Sequence, residues 1–101
     1  MNRPRYAFHG TSKKLLKAIK EVGLVPSEHE RFIDRPVLWF TDDSLGATAY
    51  GRVVLRFAWP NSATFDDDPH GFGQYVTPNA VLPSDIEIWE PQEGRWELLI
   101  Y

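Results

Sequence analysis

Cysteine is absent from the sequence. Its absence removes disulfide staples, thiolate catalysis and the usual structural zinc sites, and leaves folding to side-chain packing alone. Long apolar runs are missing too. Nothing approaches the roughly 18 residues that read as a membrane span, and MNRPRYAFHG lacks the apolar centre of a secretory signal. A cytoplasmic chain with no membrane partner is the expectation. Positive charge is not in excess, since 11 Lys and Arg face 14 Asp and Glu for a formal charge of -3. General affinity for nucleic acid is thereby disfavoured, because phosphate neutralisation supplies most non-specific binding. A local basic patch stays open. No repeat, low-complexity tract or linker interrupts the chain, and there is neither a phosphate loop nor a dinucleotide fingerprint. HGFGQY holds only a lone GxG, with no helix behind it to aim at a phosphate.

What remains is a soluble-type composition, 43% apolar and 25% charged, that argues against disorder. Residues 1–101 suffice for a single core and read as one domain, so a ligand site must be carved into that core's edge. Four Trp, four Tyr and six Phe are too many to bury fully in so small a body, so some should line a cleft or an exposed face.

The element order begins with a strand from Arg5 to His9, ending at Gly10. Thr11 or Ser12 is a good N-cap for a helix to Val22, with Leu15, Leu16, Ile19 and Val22 at helical spacing and Gly23 as the stop. Its other face carries Lys13, Lys14, Lys17 and Lys20, which reads as a solvated face or as a docking surface for an acidic partner. HERFIDRP reads as a polar loop, and VLWFT, Val37 to Thr41, as a buried strand with Pro36 at its start. TDDS offers acidic N-cap chemistry to a short helix from about Ser44 to Tyr50, closed by Gly51. RVVLRFAW is a strand in which Val53, Leu55 and Phe57 alternate with Arg52, Val54 and Arg56. After the long connection PNSATFDDDPHGFG come three more strand candidates: Gln74 to Thr77, Asp85 to Trp89 and Arg95 to Tyr101. The last two are joined by the hairpin-like EPQEG. Two early helices followed mostly by strands imply an α+β domain with largely antiparallel sheets.

Three histidines could carry chemistry. His29 sits in the charged stretch SEHERF and reads as exposed. His70 neighbours Asp66, Asp67 and Asp68, but the spacing matches no recurrent metal pattern, so no metal is expected. His9 ends a strand, and Gly10 behind it permits close backbone approach to a ligand. Taken alone, a histidine packed beside a helix cap explains His9 equally well.

The ordered series FHGTS, GLVPS, VLWFTDDSLGATAYG, VVLRFAW and GQYVTPNAVLPSDIEIW, spanning Tyr6 to Trp89, resembles the ADP-ribosyltransferase superfamily. That group consumes NAD and includes poly-ADP-ribose polymerases, bacterial toxins and DNA-modifying relatives. Each motif is short; their order and spacing together carry the resemblance. It implies small split antiparallel sheets with two short helices, and NAD held as co-substrate in the cleft between the sheets. Transferred position by position, His9 would hold the nicotinamide-ribose hydroxyl and Gly10 would offer its backbone to the nicotinamide amide. Thr11 would help on the adenosine side. Trp39, followed by Phe40 and Thr41, takes the middle-strand aromatic position, and Tyr50 matches the aromatic that stacks on nicotinamide. Gln74 stands where the family usually has a glutamate. Its carboxamide can accept a ribose hydroxyl but cannot act as a base.

The expected function is therefore transfer of ADP-ribose to a protein or nucleic-acid acceptor with release of nicotinamide, the net negative charge favouring a protein. Glu87 is the nearest substitute acid. A module of the same fold that binds a nucleotide or a protein without turnover is the alternative, and a plain structural or interaction domain a third. An RNA 2'-phosphotransferase fits less well, because Arg52 and Arg56 are only loosely placed for it.

Overall fold

The computed structural model describes residues 4–29, 32–66 and 74–100, with the side chains of 28, 29, 32–35 and 66 excepted. The order is β1 (Tyr6–Thr11), α1 (Lys13–Val22), β2 (Ser27–His29), β3 (Phe32–Thr41), α2 (Ser44–Ala47), β4 (Val53–Ala58), β5 (Thr64–Asp66), β6 (Gln74–Thr77), β7 (Glu87–Glu90) and β8 (Arg95–Leu98), with a 3-10 turn at Pro83–Asp85 before β7. This is an α+β domain. Every strand pairing among the described residues is antiparallel.

The strands form one connected order, β5-β6-β3-β1-β4-β7-β8, with β2 beside β3. The seam between its halves is thin. β1 pairs with β4 over six positions from Tyr6↔Ala58 to Thr11↔Val53, but with β3 only at Phe8↔Thr41. Continued antiparallel register would next set Gly10 opposite Trp39; instead the strands part there. The expected split into separate small sheets is not found: the strands join in one sheet, because β1 pairs with both β4 and β3, although with β3 at a single position.

Alternation along the strands decides which face is buried. Ala7, Leu55, Phe57, Leu38 and Phe40 point to one face and form the core with Ile19, Leu24, Ile86 and Leu99. Leu55 and Ile86 are fully buried, and each contributes about 1.5 to 3 kcal/mol by leaving water. α1 covers this face less completely than its apolar spacing suggests. Ile19 is buried and Leu16 half-buried, whereas Leu15 and Val22 are exposed. They edge a groove lined also by Leu24, Val25 and Val37. Lys13, Lys14, Lys17 and Lys20 are exposed.

Three other expectations need correction. The described residues of HERFIDRP are not loop: His29 ends β2 and Phe32 to Pro36 begin β3, while Glu30 and Arg31 lie outside the described residues. Pro36 is tolerated inside β3 because the β2–β3 pairing shifts register between Ser27↔Val37 and His29↔Phe32, the kind of irregularity that accommodates a missing N–H. α2 ends at Ala47, three residues short of Tyr50, which lies in the following turn. The strand from Asp85 begins at Glu87 instead, because Pro83 starts a 3-10 turn. Gly23 and Gly94 do adopt positive φ, 83° and 63°, one ending α1 and the other closing the β7–β8 hairpin.

Candidate functional site

The parting of β1 from β3 opens a cavity of about 310 Å³, lined by Phe8, His9, Gly10, Trp39, Phe40, Thr41, Tyr50 and Gln74. Four pieces of chain, β1, β3, the turn after α2 and the start of β6, deliver these residues. His9, Trp39 and Gln74 thus meet at one cavity, as do Gly10, Phe40, Thr41 and Tyr50. Thr11 does not line it; buried at the end of β1, it lines the apolar groove beside α1, which His9 and Trp39 also border.

His9 bridges the seam. Its Nδ1 lies 2.8 Å from the carbonyl oxygen of Trp39, and because a carbonyl only accepts, the proton sits on Nδ1 and Nε2 is left as an acceptor. Burial pushes the imidazole pKa down from its ordinary value, against a smaller upward effect of the Trp39 hydrogen bond. A neutral ring of fixed tautomer results, suited to accept a hydroxyl proton at Nε2.

Gly10 serves packing within the protein. A Cβ there would run into the carbonyl oxygen of Ala47 and come within 2.9 Å of its carbonyl carbon, so the residue lets α2 lie directly on β1. Gly51 interlocks with the same strand, since a Cβ on it would fall 2.7 Å from the Thr11 nitrogen. The two glycines seat the turn that carries Tyr50, whose side chain is 45% exposed at the cavity edge.

Thr41 and Phe40 have structural duties. The Thr41 hydroxyl donates to the Asp43 carbonyl at 2.7 Å, tying the end of β3 to the entry of α2, where the Asp43 carboxylate caps the helix by accepting from the Gly46 N–H. Its single proton is thereby committed. Phe40 is 2% exposed, stacked on Tyr75 and set edge-on to Phe57 and Trp59. Phe8 is the lining residue that the sequence reading missed. Strand alternation was the available signal, because Phe8 and Gly10 share a parity opposite to that of His9.

Gln74 lies across from Thr41, which is across from Phe8, so the three share one face at the seam. Glu87 is not brought to the cavity. It pairs with Arg56 of β4, Oε1 to Nε at 3.0 Å, and neither lines the site, nor does Arg52. No carboxylate is found among the described lining residues. No group of three or more His, Asp or Glu among the described residues could hold a metal ion; Asp67, Asp68 and His70 lie outside the described residues. No helix among the described residues is long and apolar enough to cross a membrane.

The lining offers aromatic surface from Phe8, Trp39 and Tyr50, an imidazole at His9 and an amide at Gln74. The volume falls in the ordinary range for small-molecule sites, about 300 to 1,000 Å³. No family model matches the chain, and neither a curated protein nor a solved structure is found to be similar to it.

Proposed function

We propose that this chain is an ADP-ribosyltransferase-like domain that takes NAD as co-substrate and transfers ADP-ribose to a macromolecular acceptor, releasing nicotinamide. The observation that supports this reading is the convergence of His9, Trp39, Tyr50 and Gln74, distant in sequence, on the cavity at the β1–β3 seam.

In this reaction the bond between the ribose carbon and the nicotinamide nitrogen breaks, its electron pair leaving with the ring. The acceptor's nucleophile then bonds to the same carbon and loses its proton. The chain's contribution is positioning and electrostatic preorganisation. Trp39 and Tyr50 hold the ring between aromatic surfaces, an interaction worth on the order of 1 kcal/mol with a cationic ring. His9 Nε2 accepts a ribose hydroxyl, its direction fixed from behind by the Trp39 carbonyl. Gln74 accepts a second hydroxyl through its carboxamide oxygen and supplies no negative charge to the developing cation.

That last property favours a second reading, a domain of the same fold that binds NAD or a related nucleotide without turnover. Incubating the purified chain with NAD, with and without cell lysate as a source of acceptors, separates the two by the nicotinamide released. Release supports the transferase; saturable NAD binding with no release leaves the binding module; failure to bind NAD removes the transferase and confines the binding module to a related nucleotide.

A further inference from the structure

The cavity wall formed by Phe8 is backed from outside the site. Gln74, Thr41, Phe8, Arg56 and Glu87 are successive cross-strand partners over β6, β3, β1, β4 and β7, so they share one face of the sheet, opposite to Ala7, Leu55 and Phe57. The first three line the cavity and the last two do not. Phe8 therefore divides the cavity from the Arg56–Glu87 pair. Other walls are fixed by contacts already described: Phe40 lies among Tyr75, Phe57 and Trp59, and His9 is held by the Trp39 carbonyl. Phe8 is half-buried, on the part of β1 that meets β3 at one pair, so the packing behind its ring decides where it points.

Behind it stands the Trp96 ring, 5.8 Å away at 48°. This contact is not one between neighbours, because β4 and β7 separate β8 from β1, about 14 Å over three strand spacings. Trp96 thus leans across two strands to reach Phe8. The Arg56 guanidinium lies under that lean, 4.4 Å from the centroid of the Trp96 ring and 4.2 Å from that of Tyr6, and its Nε donates to the Glu87 carboxylate at 3.0 Å. A flat cation can stack on ring faces while its edge binds a carboxylate, which an ammonium group cannot do in the same way. The Arg56 side chain is 19% exposed and its charge is matched by Glu87, so the cluster offers no free charge to a ligand and works as a support.

We propose that Arg56 and Trp96 are positioning residues for the cavity: the guanidinium holds the indole over the sheet, and the indole holds Phe8 in the orientation that sets the cavity's width for a flat ligand. Neither residue touches the ligand. The effect on binding rests on the reading of the cavity as an NAD site, whereas the orientation of Phe8 is a property of the chain alone.

Crystal structures of full-chain variants, set beside NAD titrations of the same proteins, test it. Trp96→Leu and Arg56→Met should each turn Phe8 out of its rotamer and weaken NAD binding by about tenfold. Arg56→Met leaves both rings in place, so it decides the matter should Trp96→Leu fail to fold. Trp96→Phe keeps a ring behind Phe8 and should preserve both rotamer and affinity. Leu98→Ala, on the same hairpin with a side chain 56% exposed, should change neither. Phe8 unmoved in the variants, Phe8 moved with affinity intact, or an equal loss in Leu98→Ala would overturn the proposal. If the parent does not bind NAD, the transferase reading fails, and the rotamer of Phe8 still decides whether Arg56 and Trp96 position it.

Discussion

The imidazole of His9 donates from Nδ1 to the main-chain carbonyl of Trp39 at 2.8 Å, reaching across the line where β1 and β3 cease to pair. A side chain continues the connection that the backbone ladder gives up, and its other nitrogen is left without a proton. Protonating that nitrogen means charging a ring that burial keeps neutral.

Stability should therefore fall with acid. The folded pKa of His9 lies below the ordinary value of about 6.5, so below that pH the unfolded chain takes up a proton that the folded chain refuses. The loss begins as pH drops through about 6.5 and stops growing below the depressed folded value; above 6.5 the contribution is constant. Thermal melts from neutral to mildly acidic pH should show the decline, and His9→Gln should flatten it. An unchanged slope in the variant would assign the decline to other groups.

Gly10→Ala should destabilise by about 2 kcal/mol or more, since the added methyl meets main-chain atoms of Ala47 that no rotamer change can remove. Denaturant melts measure the cost. The strand should survive, but α2 and the turn holding Tyr50 should shift, so any ligand affinity falls along with stability.

Tyr50→Ala is the opposite case. With the ring 45% exposed, stability should change by no more than about 0.5 kcal/mol, while NAD affinity drops by about tenfold if the ring stacks on nicotinamide. Calorimetric titration set beside a melt gives both numbers. Equal losses in the two would assign Tyr50 to packing.

Gln74→Glu places a carboxylate at a cavity whose described lining has none. Nicotinamide release should rise or stay level. A fall would mean that the amide itself is required at that position.

Much of the fold was legible in the sequence because local signals agreed with tertiary demands. Gln74–Thr77 begins and ends as its pattern reads, and Gly23 stops α1. Errors fell where long-range pairing overrode local character. The charged residues of HERFIDRP read as solvent-facing loop, yet a strand in a two-stranded extension needs no apolar alternation. The apolar stripe of α1 was visible, but not that Leu15 and Val22 would be left uncovered. At the site, the residue types were legible and their reasons were not. Gly10 suggested room for a ligand; it lines the cavity and also admits the close approach of α2. Thr41 suggested a contact to a nucleotide; it too lines the cavity, with its proton directed to Asp43. The Gly10 reason depends on a partner several elements away, which spacing does not encode; the Thr41 partner lies only two residues along, at the cap of the next helix.

The single Phe8↔Thr41 pair has a mechanical consequence. On one side, six consecutive pairs bind β1 to β4; on the other, four bind β3 to β6. Two longer ladders thus meet through one backbone pair, with the cavity beside it. An occupant touching both sides would add a second bridge between strands that the backbone joins at one point. Hydrogen exchange at the main-chain amides flanking Phe8 and Thr41 should slow when the gap is filled, while the β1–β4 ladder keeps its protection.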